Sequence, residues 1–430
     1  MRLELPDSWR VLGELKPKHV ASAQDPAAAC RESLQHPLAT APLRDAGLVG
    51  KRVAVVVDDH SRPTPVSEFI RPVMEELAAA GVKDEDVDIL IATGVHRASA
   101  TDEVERKLGR DVMNRFRWQC HDAYDPNELT DVGATSRGTR VLLNKLLAAS
   151  DFIVCVGALE PHVLLGFGGG LKMIIPGCAG TETVGKNHMQ GVDPDHFDYV
   201  GVHGEDSPMR LDLEEGARLL GKEIFMVNAA MNEQARPTRF FAGDPIAAHR
   251  AGEEFVGSLV RLDVPRQADA VLANSYPMEL DLRQSAKCLG NGLYAVKPGG
   301  VVMGCLKCEQ GLGEMPLAKK TLPYPVMRGL LKLIGKKRVL ALVEKAKRGE
   351  PIEEVFLGHF ALQMMRRNHL GIFSDSAALP RDVGRKMGVA RSFTETAHMI
   401  SWAEGLLPRE ATVWVVPFGG TTYARPGGAW

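Results

Sequence analysis

"RVAVVVDDHSRPTPVSEFIRPVMEELAAAG", Arg52 to Gly81, is the stretch on which the fold is read. Its first part is a run of β-branched and small apolar residues without polar alternation, which describes a strand buried on both faces. Two carboxylates, Asp58 and Asp59, close the run. After the turn-forming "SRPTP", apolar positions recur at helical spacing, and the pattern predicts a helix over 66–81 ended by Gly81. A buried strand followed by an amphipathic helix is the unit of a parallel, doubly wound sheet.

The unit recurs on both sides. "VDILIATGVH" (87–96) predicts a second strand and "TDEVERKLGRDVMNRF" (101–116) the helix after it. "DFIVCVGALEPH" (151–162) and "EIFMVNAAMN" (223–232) continue the series. Asp58, Asp59, His96 and His162 all fall at predicted strand C-termini, where ligands bind in such sheets. A Pro- and charge-bearing link near 265 precedes a new strand in "VPRQADAVLANSYP". Further α/β pattern follows in "GLYAVKPGGVVMGCL", in basic helical stretches over 327–348, in "HLGIFSDS" and in "TVWVVPFG". The expected fold is therefore α/β with two α/β domains. Residues 1–265 form an N-terminal Rossmann-like parallel sheet that binds the ligand. Residues 266–430 form a C-terminal domain that closes over it, with the active site in the inter-domain cleft and the last ~20 residues packing back on the first domain.

Composition excludes several classes. With 430 residues, 45% hydrophobic and 25% charged, the chain can bury more than one core. A formal net charge of −2 gives no electrostatic footprint for nucleic acid. No run of 18 apolar residues suggests a membrane span, and the opening "MRLELPDSWRVLGELKPKHV" has no export-signal pattern. Seven dispersed cysteines fit a reducing cytoplasm, the expected location. Cys305 and Cys308 make a lone C-x-x-C without the further ligands that zinc needs, so buried thiols are the plainer reading.

The segment "EPHVLLGFGGGLKMIIPGCAGTETVGKNH", Glu160 to His188, concentrates chemistry. It fails the P-loop pattern, because Leu171 precedes Lys172 and Met173 follows it. It fails the dinucleotide fingerprint too, since "GFGGGL" ends in leucine. Gly166, Gly168, Gly169 and Gly170 allow either a backbone amide cradle for an anion or simply a turn at positive φ. If the strands ending at His96 and His162 are neighbours, the two imidazoles face one crevice as an acid–base pair titrating near working pH. Arg62 offers a bidentate grip on a carboxylate. His188 is a candidate ligand for a borderline metal. In "DLRQSAKCLGNG", Gln284 and Lys287 lie three apart on one helical face, suited either to clamping a carboxylate or to an exposed surface.

Taken jointly, "DDxxRP" (58–63), "TGxHR" (93–97), "EPHxxxGxxGGxKxxxPG" (160–177), "NH" (187–188) and "QSxK" (284–287) resemble the lactate racemase family. The resemblance implies a nickel-pincer nucleotide, with Lys172 as covalent tether, His188 as nickel ligand, and Asp59 with Gly168, Gly169 and Gly170 beside the cofactor. It implies His96 and His162 as the two acid–base residues, and Arg62, Gln284 and Lys287 around the carboxylate of a 2-hydroxy acid. It also implies cofactor-synthesis proteins as partners. Inversion would proceed by proton-coupled hydride transfer through a bound 2-keto acid. One departure stands out: Arg283 replaces the tyrosine expected before Gln-Ser-x-Lys, which points to a larger or more anionic 2-hydroxy acid than lactate. The rivals are another metal-dependent hydrolase or lyase on this scaffold, with Asp58, Asp59 and the histidines serving its metal, and a non-catalytic carrier of nickel or cofactor.

Overall fold

Val53, Ala54, Val55, Val56 and Val57 are all buried, as a strand sandwiched between layers requires. The computed structural model describes residues 3–191, 199–313, 315, 323–346 and 352–426. Within them the chain builds two six-stranded sheets. In the first, the strands run in the order Pro237–Gly243, Glu223–Met231, Phe152–Leu159, Val53–Asp58, Val87–Ala92, Arg117–Cys120. All are parallel to their neighbours except Pro237–Gly243. The chain winds outward in one direction after Asp58 and in the other after Leu159. The crevice between those two strand ends is therefore the switch point, where a ligand meets the fewest crossover loops.

The helix expected over 66–81 begins later, at Ile70, after a single 3-10 turn at Val66–Glu68. Pro72 explains the delay: it has no N–H for the Glu68 carbonyl and its ring would crowd that group, so a continuous α-helix from 66 is not possible. The helix expected over 101–116 is broken in two at Gly109, whose φ of +79° ends Thr101–Leu108 and starts Arg110–Arg115. Both histidine-bearing strands stop short of their histidines. His96 lies in the turn after Ala92, its amide bonded to the Thr93 carbonyl at 3.0 Å. His162 lies in a two-residue hairpin, Pro161–His162 against Gly166–Phe167, beyond Leu159.

The second sheet is wholly parallel, in the order Arg10–Glu14, Thr412–Val416, Ala268–Asn274, Val296–Cys305, His369–Phe373, Arg391–Phe393. Its outer strand Arg10–Glu14 comes from the start of the chain, so a single cut at 265 does not separate the two sheets. Toward the other end, Tyr423–Pro426 pairs with Arg261–Val264, and Arg425 donates to the Val200 carbonyl at 2.6 Å. Helix Ile352–Arg367 lies against helix Thr181–Gln190, with Phe360 packed on the cores of both halves. Among the described residues no helix is long and apolar enough to cross a membrane.

Burial pushes His249 and His359 down to about 4, with Arg210 adding to the effect at His249. Unfolding frees both rings to protonate below their ordinary value, so each removes roughly 1.4 kcal/mol of stability per pH unit as pH falls from about 6.5 to 4. Glu103, held down to about 2 chiefly by its bond from Arg97, extends the loss at lower pH, while Asp58, raised by burial, opposes it. Urea unfolding followed between pH 7 and 4 should show a midpoint that declines steadily. A flat midpoint across that range would contradict this assignment.

Candidate active site

The strand Val53–Asp58 lies between the strands that lead to His96 and His162, so those two are not neighbours in the sheet. The imidazoles nonetheless line one cavity of about 630 Å³, because the turns carrying them reach over the end of the central strand. Asp58, Asp59, Arg62, Glu160, Gly169, Lys172, His188, Arg283, Gln284 and Lys287 line it too. Gly168 and Gly170 are not among its lining residues.

The two histidines are held in opposite ways. His96 Nδ1 is 2.8 Å from Asp59 Oδ2, and Ser61 Oγ donates to Asp59 Oδ1 at 2.7 Å. Burial opposes the charge on Asp59, but His96 and Arg62 outweigh it and hold the carboxyl well below its usual range. An ionised Asp59 accepts a hydrogen bond from His96 Nδ1–H, which leaves the lone pair on Nε2, the state of a base. His162 Nδ1 instead accepts from the amides of Leu164 and Leu165, each at 3.3 Å, so the proton of its neutral ring sits on Nε2. Burial pushes the His162 pKa far down, reinforced by Lys172, Lys287, Arg62 and His188.

Charges around the cavity are paired. Lys107 Nζ reaches Asp58 Oδ1 at 2.8 Å and the carbonyls of Arg62 and Thr64 at 3.0 and 3.1 Å, fixing the turn that aims Arg62. Arg62 Nη1 donates to Glu160 Oε1 at 2.5 Å. Lys287 Nζ stands 4.0 Å from the same oxygen. Gln284 and Lys287 do not share one helix as the spacing suggested: Leu282–Ser285 and Lys287–Asn291 are two short helices meeting at Ala286. Asp281 caps the first, accepting from the Gln284 amide at 2.8 Å. Among the described residues the buried Oε1 of Gln284 has no hydrogen-bond partner, which leaves it open to a donor from water or a ligand.

The glycine run is a packed turn. The amides of Gly168 and Gly170 already donate to the Glu160 carbonyl at 2.7 Å and to Asn228 Oδ1 at 2.6 Å, and that of Lys172 to the Gly169 carbonyl at 3.2 Å. The expected amide cradle is therefore spent within the protein at these positions. Gly169, at φ +80°, has no room for a side chain: a Cβ would lie 2.6 Å from the Ala158 carbonyl oxygen. Arg210 donates to the carbonyls of Phe167 and Gly169, and His249 Nε2 pairs with that of Gly168 at 3.0 Å. This clamp presents Lys172, in the turn Gly170–Met173, to the cavity.

The donor set fits the implied cofactor. His188 Nδ1 donates to the Val184 carbonyl at 2.6 Å, which makes Nε2 its lone-pair nitrogen and suits it to a metal. Its helix is anchored by the adjacent Asn187, whose Nδ2 donates to Asp212 Oδ2 at 2.8 Å. Among the described residues no three His, Cys, Asp or Glu side chains converge as ligands. Burial, then Arg62 and Lys287, push the Lys172 amine well below its ordinary value, toward the neutral form that can bond to an acyl carbon. Lys107, Ser61 and Asp212 carried no recognisable spacing signal, whereas Asp58, Glu160 and Asn187 fall within the motifs quoted above.

Residues 1–197 match a family model described as the lactate racemase N-terminal domain. The chain is 30% identical over 285 residues to the lactate racemase of Thermoanaerobacterium thermosaccharolyticum. It is 28% identical over 283 residues to that of Lactiplantibacillus plantarum. Each match spans 66% of this chain and 66% of the relative, just short of two thirds of either curated protein. The solved lactate racemase apoprotein of T. thermosaccharolyticum superposes with a TM-score of 0.81 over 98% of this chain and 96% of its own, at 24% identity. A Thermotoga maritima protein does so at 0.69 and 20% identity, over 95% of this chain and 100% of its own. These last two are likenesses of fold.

The contrast between the histidines is measurable. Nitrogen-15 NMR of labelled protein should show the His162 ring neutral, with its proton on Nε2, throughout pH 8 to 6. A midpoint at or above the ordinary histidine value would refute the environment described.

Proposed function

We propose that this chain, which belongs to the lactate racemase family, inverts C2 of a 2-hydroxy acid with the help of a nickel-pincer nucleotide. The observation that supports this most strongly is that one cavity gathers His96, His162, Arg62, Lys172, His188, Gln284 and Lys287. In this reading the cavity lies between an N-terminal cofactor-binding domain, 1–265 apart from the strand Arg10–Glu14, and a C-terminal domain, 266–430, which that strand joins. Lys172 would tether the cofactor covalently, His188 would ligate its nickel, and Asp59 and Gly169 would border it. Synthesis proteins would supply the cofactor. When bound, it would supply the acceptor and donor for the C2 hydride, on either side of a bound 2-keto acid.

This chain's own residues would do the rest. Arg62, Gln284 and Lys287 grip the carboxylate so that only C2 turns. His96 takes the hydroxyl proton at Nε2, with Asp59 stabilising the imidazolium that forms. His162, on the other wall, donates a hydrogen bond from Nε2–H to the same oxygen when the second face of C2 is used, and the proton held on His96 returns to that oxygen. Inversion needs a group on each side, and a carrier of nickel or cofactor needs neither histidine. A hydrolase or lyase with its metal on Asp58 and Asp59 is disfavoured, since Lys107 and His96 already occupy those carboxylates.

Substrate identity follows from the walls. Arg283 lines the cavity in place of the expected tyrosine, and Met315, Met327, Phe360, Met364, Leu370 and Met387 form an apolar side. Such a wall favours a 2-hydroxy acid larger than lactate, and methionines adapt to its shape. Each additional buried methylene should raise kcat/KM by about fourfold, the equivalent of ~0.8 kcal/mol.

Protein loaded by co-expression with cofactor-synthesis proteins, given single enantiomers of lactate, malate, 2-hydroxy-4-methylpentanoate and phenyllactate, should invert the larger acids best by chiral chromatography. No inversion of any acid with nickel bound would sink the reading. An unchanged ranking in Arg283→Tyr would remove Arg283 from specificity. His96→Ala and His162→Ala should each lower turnover by about 10²- to 10⁴-fold while nickel stays bound. His188→Ala should lose the nickel, and stoichiometric metal in that variant by mass spectrometry would refute its role.

A further inference from the structure

Glu160 lines this cavity beside Asp58 and Asp59, and a single oxygen of it serves two of the cavity's cations. Its side chain is 15% exposed. Oε1 accepts from Arg62 Nη1 at 2.5 Å and stands 4.0 Å from Lys287 Nζ. Arg62 follows the central strand of the first sheet, whereas Lys287 belongs to a helix between strands of the second. We propose that Glu160 is a positioning residue that builds the seat for the substrate carboxylate by holding Arg62 and Lys287 together on that oxygen. This rests on a 2-hydroxy acid being the substrate.

The local backbone is shaped around this side chain. Gly168 donates its amide to the Glu160 carbonyl at 2.7 Å, closing the neck of the hairpin that carries His162. A Cβ at Gly168 would lie 3.3 Å from Glu160 Cγ, so the absence of a side chain there keeps the carboxylate in place. Without Glu160, the charges of Arg62 and Lys287 would face each other across the cavity. Like charges in that setting repel, and long flexible side chains relieve the repulsion by turning away. A guanidinium has five N–H donors, so Arg62 can serve Glu160 through Nη1 and still offer a fork to a substrate carboxylate.

Lys287 reports the arrangement. Burial pushes it down to about 8, and Glu160 is the strongest group resisting that shift. Asp281 also resists, while Arg62 and Arg283 add to the shift. Its positive charge is therefore present below about pH 8 and lost above. Carboxylate binding should weaken as pH rises through that value. Removing the Glu160 charge should bring the same loss at lower pH.

The test compares cofactor-loaded wild type, Glu160→Gln and Glu160→Asp on the best acid of the panel, with melting temperatures as a check on folding. Glu160→Gln should raise KM by about ten- to a hundredfold, with kcat changing far less. The alkaline limb of kcat/KM should move down by about one pH unit, and Glu160→Asp should recover part of both effects. A merely structural role would lower the melting temperature without moving the limb, and that result would overturn the proposal. So would unchanged KM, or a fall confined to kcat. Should Glu160→Gln not fold, Gly168→Ala presses on the same side chain without removing its charge. It should raise KM in the same direction, and an unchanged KM there overturns the proposal as well. A wild type that inverts an acid normally while the variants match it refutes the role of Glu160 alone. A loaded wild type that inverts none refutes the function, and the proposal falls with it.

Discussion

Charge buried at the end of a central strand must be paired, and the site depends on that requirement. Val53–Asp58 delivers Asp58, Asp59 and Arg62 into a crevice with apolar walls, where an isolated ion is costly. Lys107 answers Asp58, His96 answers Asp59, and Glu160 answers Arg62. Each partner arrives from a different segment: the helix Thr101–Leu108, the turn after Ala92, and the end of Phe152–Leu159. Pairing thus does two things at once. It makes burial tolerable, and it fixes the positions of His96 and Arg62.

The glycine turn obeys the same rule with neutral groups. The carbonyls of Phe167, Gly168 and Gly169 are taken by Arg210 and His249, and the neighbouring amides by Glu160, Asn228 and Gly169. The amides of Gly168, Gly170 and Lys172 are thus already engaged, and the turn works by rigidity. It presents Lys172 in a setting that strips the amine of its charge. The helix that carries His188 is treated similarly, since Asn187 locks it to Asp212 and the Val184 carbonyl sets the tautomer of the ring.

Much of this was legible in the chain. Runs such as "VAVVV" and "DILIA" declare strands buried on both faces, because only helices covering both sides make continuous apolar strands stable. Polar residues at the ends of those runs located the site. Boundaries were less legible: Pro72 delayed one helix and Gly109 split another, and in each case a single residue's backbone restriction overrode the apolar periodicity. The joining of Arg10–Glu14 to the second sheet was not legible at all, since pairing between segments some 400 residues apart leaves no local signal.

By itself the sequence determined the residue types available, the alternation of strands and helices, and which ionisable groups would sit at strand ends, since periodicity and turn chemistry are local properties. Only the tertiary structure decided which of those groups meet. It placed the central strand between the two histidine-bearing ones, set His96 as a lone-pair ring and His162 as a proton-bearing one, and spent the glycine amides internally. It also brought Lys287 to the oxygen that Arg62 already holds. The reason is physical: hydrogen-bond direction and charge pairing are settled by neighbours distant in the chain.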